Sequence, residues 1–539
     1  MLTVFLGLTW SSLQKKSVTF DEFAHLPAGL SYLRTGDFRL EAFNSPLIRL
    51  LAALPLVNDE TVNLPLERGW QIRNHWNFGY EFMSANAESY HRIFLRARAV
   101  ILGLGALCIA VAWLWTRRLW GRLSALAAAA LLAFDPNFMA HSRLVTGDVG
   151  AALTTLLAVI ACWAFLTRLT WPRALAAGLA LGAALLSKFS SLALLAVPPV
   201  LALATLPDQK KINRAGLVLQ LLVVYLFAWI TICSFFKWEG VGRPLETYTF
   251  KSRAFINLSS RMPYGLPFPL PARLVEGMDA TSLFNEKAVQ NYLMGKTYAG
   301  GRPDYFLAAF LLKTPLSTIV LIGIGLASLF CGRLKKRREK WLLLVPPLII
   351  IAFVSLASHY NIGVRYLLPA FPFLFIIAAA PLAEAQKPRL AVKIVIFALV
   401  ASSAIASFRV HPHYLAYFNL AAGGPERGHL LLADSNLDWG QDLIGLKDYM
   451  DERGLDSICL VYFGRVDPVV YGIEHEVTEH PEQCEVFAVS TQFLLGFTSA
   501  IVSRGVTYEY PEGRFRHLLA REPTAIINHT IRVFDNRKD

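Results

Sequence analysis

Four stretches of this chain carry side chains able to handle protons and anions. "VTFDEFAHLPAGLSYLRTGDFRL" holds the adjacent acids Asp21 and Glu22, then His25. "FDPNFMAHSRLVTGD" holds Asp135, His141, Arg143 and Asp148. "LLSKFSS" holds Lys188, and "SHYNIGVRYLLP" holds His359, Arg365 and Tyr366. A positioned carboxylate can accept a proton from a reacting hydroxyl. Lys and Arg can hold an anion through charge-assisted hydrogen bonds. Whether these stretches act together depends on the elements that carry them.

Those elements are apolar. Of 539 residues, 55% are hydrophobic and 17% charged, against about 25% charged in an ordinary soluble domain. Apolar runs near the length of a bilayer span recur throughout, so the composition predicts a multi-span α-helical membrane protein. Spans are expected at about 96–115, 121–134, 147–167, 174–187, 190–206, 215–236, 306–331, 341–357, 366–383 and 391–408. The first run, Met1 to Leu13, is short for a span, and it lacks the basic start of a signal peptide. With it the count is about eleven.

The net charge of +13 does not point to nucleic acid, because Lys and Arg gather in short loops between apolar runs. Arg117, Arg118 and Arg122 form one such group, and Arg168 with Arg173 another. Lys210, Lys211 and Arg214 follow, then Arg333, Lys335, Lys336, Arg337, Arg338 and Lys340, and finally Lys387, Arg389 and Lys393. All fall on one side by parity, which is then cytoplasmic, with anionic lipid as neighbour.

The same parity sends the long loops 14–95 and 237–305 and the tail to the other side, together with all four polar clusters. Each cluster alone could be a snorkelling interface. Four on one face, mixing acids and bases, suggest a shared cavity, since a charge near the bilayer needs a partner or water. Within loop 14–95, "LPAGLSYLR" and "SPLIRLLAALPLV" read as amphipathic helices on the membrane surface. Trp70, Trp76 and Tyr80 suit the headgroup zone. Loop 237–305, rich in Pro and Gly, reads as ordered but irregular. Together the loops could roof the polar clusters.

The tail changes character. "LDSICLVYFG", "CEVFAVST" and "TAIINHTIRVFD" read as strands, and "LDWGQDLIGLKDYMDERG" as a helix. The expected division is a membrane domain over 1–420 and an extracytoplasmic α/β domain over 421–539. A Cys459–Cys484 disulfide is allowed there and not required. His411 and His413 in "HPHYLAYF" read as interface residues rather than ligands. No spacing indicates a metal or other cofactor, and a divalent ion is left open. Asn257 and Asn528 match the glycosylation sequon as a pattern only.

The ordered set has a familiar form. An acidic pair after the first span, an Asp opening a later one, a Lys closing another and "NIGVRYLLPAFPFL" resemble the GT-C glycosyltransferases. The nearest branch is the protein O-mannosyltransferase and aminoarabinose-transferase group. "YFLAAFLLKTPLS" and "HPHYLAYFNLAAGGP…DSNLDWGQDL" resemble a bacterial subgroup, and the resemblance extends to about Leu446. It implies a GT-C fold and transfer of a sugar from a polyprenyl-phosphate donor to an acceptor outside the cytoplasm, in the plasma (inner) membrane. The acceptor would be a protein hydroxyl, lipid A or an envelope glycan. It implies Asp21 as general base with inversion and Asp148 in support. Lys188, Arg365 and His359 would hold the donor phosphate, with Glu22, His141, Arg143 and Tyr366 around them. A transporter, or a receptor-like structural protein with an outer domain, are the alternatives. A transporter would normally place its polar residues mid-span, in repeated halves, and no repeat is visible here.

Overall fold

The computed structural model describes residues 1–41, 44–205, 214–287, 289–331, 337–497, 499–503 and 506–538. Lys210, Lys211, Arg333, Lys335 and Lys336, used above for orientation, lie outside them. Among the described residues, six helices are long and apolar enough to cross a membrane: Ala87–Trp120, Asp148–Thr167, Arg214–Phe235, Arg338–Ala357, Val364–Gln386 and Leu390–Val410. A seventh is counted if Tyr305–Lys313 and Leu316–Phe330, bent by 114°, form one broken span.

The expected count of about eleven is therefore too high. The excess comes from short helices. Leu2–Gln14 has 13 residues, Arg122–Ala133 has 12 and Trp171–Leu185 has 15. The run near 190–206 is split into a tight 3₁₀ turn, Phe189–Ala196, and a helix, Val197–Thr205. A 12-residue helix rises about 18 Å at 1.5 Å per residue, well short of a hydrocarbon core of about 30 Å. Apolar composition over 12 to 15 residues marks a buried helix as readily as a span. These short helices pack against the long ones, and of the most apolar 18 residues of Val364–Gln386, the segment that carries Arg365, 89% are buried.

The helix Glu22–Thr35 also departs from expectation. It is not a surface helix: every residue from Glu22 to Tyr32 is buried. Its polar residues mislead the sequence reading because each is satisfied inside the protein. Arg34, near its end, donates to the carbonyls of Leu56, Val57, Asp59 and Val62 and so ties down the following loop. Trp70 is buried as well, and Trp76 faces a cavity. Loop 237–305 contains the helices Arg253–Arg261 and Ala272–Glu286 and a hairpin, β1 (Gln290–Leu293) with β2 (Lys296–Ala299).

The tail carries a five-stranded mixed sheet. Its strands are β3 (Ile458–Val461), β4 (His475–Glu476), β5 (Val486–Ser490), β8 (Ala525–Ile527) and β9 (Ile531–Asp535). The order is β4-β3-β5-β9-β8, with β6 (Ser499–Ser503) and β7 (Val506–Tyr510) paired apart. The helix Leu443–Arg453 ends at Gly454, whose left-handed backbone (φ 61°) closes it. "TAIINHTIRVFD" is a hairpin rather than one strand. Asn528 and His529 both take positive φ there and turn the chain. The Asn528 amide donates to Asp442 at 3.0 Å, so that sequon is engaged within the fold. Cys459 and Cys484 form a disulfide joining β3 to the start of β5.

Candidate active site

Asp21 is placed by the chain before it. Residues 17–20 run beside 439–441, with Ser17 N donating to Gln441 O at 2.9 Å and Phe20 N to Trp439 O at 3.0 Å. Asp21 then opens the helix Glu22–Thr35 without capping it through its side chain. Its carboxylate turns into a cavity of about 500 Å³ and meets Arg365 Nη1 at 3.1 Å.

Glu22 turns the other way and is fully buried. It pairs with Arg98 through two contacts, of 2.8 and 2.6 Å, and accepts from Val145 N at 2.8 Å. One turn on, His25 Nδ1–H donates to Val145 O at 3.0 Å. The first turn of this helix thus grips both backbone groups of Val145, three residues before Asp148. The acidic pair divides its work: Asp21 faces the cavity, and Glu22 locks the loop that carries the second carboxylate.

Asp148 is 1% exposed and fully engaged. Lys188 donates to one oxygen. Thr146 Oγ donates to the other at 2.9 Å, with Arg365 Nη1 at 3.8 Å and His141 Nδ1 at 4.0 Å. Lys188 Nζ lies 4.1 Å over the Tyr366 ring, and the Arg365 guanidinium 4.3 Å over Trp439. These faces fix both cations while adding favourable cation–π contact. Asp21, Asp148, Lys188, Arg365 and Tyr366 all line the one cavity.

His141 and Arg143 stand behind it, each 1% exposed. His359 does not join the set. It is exposed, with its backbone and ring bonded to Asn285, while its neighbour Tyr360 lines the cavity. His359 sits in the bend that follows the helix Arg337–Ala357, where its contacts with Asn285 turn it away from the cavity.

The cavity also holds residues that sequence reasoning did not place there. Glu41 binds His25 Nε2 at 2.9 Å and also pairs with Arg49. Burial opposes a charge on His25, but Glu41 outweighs it and raises its pKa. Burial likewise opposes charge on Glu41, yet Arg49 and His25 bring it down to about 2. Asp434, Trp439 and Gln492 come from the tail. The quoted motif "DSNLDWGQDL" contains the first two, but nothing in a linear motif says which cavity it enters.

Asp438, in the same motif, is 2% exposed. Burial pushes it from 3.8 up to about 8 despite the hydrogen bond from Gly440 N. Folded Asp438 therefore keeps a proton that the unfolded chain releases near pH 4. Its contribution is full below that pH and is lost as the pH rises through about 8. Thermal unfolding of detergent-purified protein should show stability falling over this window, with a shallower fall in Asp438→Asn. Equal slopes in the two proteins would refute the assignment.

Among the described residues, no group of three or more His, Cys, Asp or Glu side chains could hold a metal ion. Residues 2–239, less than half of the chain, match the family described as dolichyl-phosphate-mannose-protein mannosyltransferase. No curated protein matches the chain significantly. Among solved structures, the chain is similar to ArnT from Cupriavidus metallidurans bound to undecaprenyl phosphate. That match has 13% identity and a TM-score of 0.49, over 99% of this chain and 96% of that one. It is also similar to the archaeal oligosaccharyltransferase AglB from Archaeoglobus fulgidus, with an inhibitory peptide and a dolichol-phosphate. Here identity is 13% and the TM-score 0.43, over 95% of this chain and 74% of that one. The family match spans Asp21, Asp148 and Lys188, while Arg365 and the tail lie beyond it.

Proposed function

We propose that this protein is a membrane glycosyltransferase that moves a sugar from a polyprenyl-phosphate donor to an acceptor outside the cytoplasm. One observation carries the reading. Asp21 meets Arg365 in the wall of a cavity that also holds Lys188 and Asp148, in a chain matching a mannosyltransferase family over residues 2–239.

The chemistry needs few groups. The acceptor oxygen bonds to the sugar's anomeric carbon while the bond from that carbon to the phosphate oxygen breaks. The electron pair leaves with the phosphate, and the acceptor proton passes to Asp21. A single displacement of this kind inverts the anomeric centre. Arg365 and Lys188 stabilise the departing phosphate as its charge grows. Asp148 holds Lys188 in place and, being fully engaged, is less suited to take a proton. Asp21 keeps a side chain 26% exposed to the cavity. The tail lends Asp434, Trp439, Phe463, Gln492 and Phe497 to the wall, which supports a part in binding the acceptor.

The donor side is tested by binding of polyprenyl phosphate to purified protein. Arg365→Lys keeps the charge but loses the planar fork, and Lys188→Ala loses the charge. Each should weaken binding by about tenfold or more, the value of one or two charge-assisted hydrogen bonds. Unchanged affinity in both would return these residues to an interfacial role. Mass analysis of envelope glycans and lipids from cells with and without the gene tests the transfer itself.

A further inference from the structure

A second cavity of about 500 Å³ shares no lining residue with the first. It lies between the break at Pro315, the end of the helix Leu390–Val410, and Gly424–Glu426 with His529 of the tail. One wall is apolar: Leu316, Ile405 and Ala406 come from helices of span-like composition. Leu316 and Ile405 are 41% and 51% exposed, as is their neighbour Phe408 at 48%. The cavity therefore continues onto a flank that faces the bilayer if these helices cross it.

The opposite end is polar and unevenly satisfied. Asn419 is spent, its amide donating to Leu311 O and Thr314 O and its oxygen accepting from Ala422 N. Glu426 faces His529 at 3.5 Å. The Arg409 side chain is exposed and hydrogen-bonds to no described residue. His413 Nδ1 lies 2.7 Å from Lys16 Nζ, which also pairs with Asp442. An ammonium only donates, so Nδ1 accepts and the His413 proton sits on Nε2. Burial and then the Lys16 charge hold this imidazole neutral, with its pKa down at about 3. No described residue accepts from Nε2–H. A guanidinium and an imidazole N–H thus stand free in a cavity whose helical wall carries Leu316, Ile405 and Ala406 together with Ser317 and Ser402. Among the described lining residues, Glu426, which faces His529, is the one carboxylate to oppose a negative guest.

We propose that this cavity binds an anionic phospholipid of the surrounding membrane, its phosphate held by Arg409 and His413 and its chains lying along Leu316, Ile405 and Phe408. The volume is within the roughly 300–1,000 Å³ of small-molecule sites, enough for a headgroup and the root of its chains. A soluble phosphate would satisfy the donors but leave the apolar wall in water, which is why the lipid is the better guest. The bound lipid would join the ends of two membrane helices to the tail. This inference rests on the helices being spans and is independent of sugar transfer.

The test uses full-length protein in nanodiscs of phosphatidylcholine, with and without phosphatidylglycerol. Retained lipid is read by native mass spectrometry, and a photoreactive phosphatidylglycerol maps the contact. Wild-type protein should retain phosphatidylglycerol over phosphatidylcholine, with cross-links in residues 402–420. Arg409→Glu should lower retention about tenfold or more, and His413→Phe in the same direction. Arg117→Glu, on the exposed face of another span, should retain lipid as wild type does. Arg409 is exposed, so the fold should survive its change, and a thermal unfolding curve checks this. Equal retention by wild type and Arg409→Glu overturns the proposal. So does glycerol phosphate displacing the lipid at matched concentration, which would make the site one for soluble anions.

Discussion

Asp21→Asn should lower sugar transfer by about a hundred- to ten-thousand-fold, the usual contribution of a positioned general base, while the protein stays folded and still binds polyprenyl phosphate. The substitution keeps shape and removes basicity. A helix-capping role cannot account for such a loss, because the Asp21 side chain makes no cap hydrogen bond and Asn caps as well as Asp. Among the described residues its side chain hydrogen-bonds to Arg365 alone, and the neutral amide still offers that cation an oxygen. Donor affinity should thus change far less than rate. Asp148 is the competing base, but both its oxygens are held and its side chain is 1% exposed. Transfer near the wild-type rate by purified Asp21→Asn protein would move the assignment to Asp148.

Glu22→Ala should act through stability. It leaves the Arg98 guanidinium, which is fully buried, with no carboxylate and with the carbonyls of Leu13, Lys16 and Ser17 as its hydrogen-bond partners among the described residues. Breaking a buried pair by removing one partner typically costs about 3–5 kcal/mol. It also frees Val145 N, so the loop carrying Asp148 should loosen. Unfolding of detergent-purified protein should show the loss, and the double variant Glu22→Ala with Arg98→Leu should recover part of it. Stability equal to wild type in Glu22→Ala would mean that the pair contributes nothing. The two adjacent acids therefore predict opposite signatures: rate without stability for Asp21, stability first for Glu22.

The membrane character of the chain was legible from composition, because transfer of apolar side chains is decided residue by residue. The grouping of Asp21, Asp148, Lys188 and Arg365 was expected from the alternation of spans and loops, but the spans counted for it are more than the structure carries, so their shared cavity rests on the fold and not on parity. The strands and the closing helix of the tail were legible in outline, from period and turn residues. Three things were decided only in three dimensions. Whether a 12-residue apolar run crosses a bilayer depends on what surrounds it, which is why the span count came out high. Whether a polar helix lies on a surface or in a core depends on partners distant in sequence: Glu22 needs Arg98 and Val145, and His25 needs Glu41. The cavity wall supplied by Asp434 and Trp439 is set by the pairing of residues 17–20 with 439–441. Backbone hydrogen bonds across some 420 residues leave no trace in side-chain identity, so only the folded chain could put the tail beside Asp21.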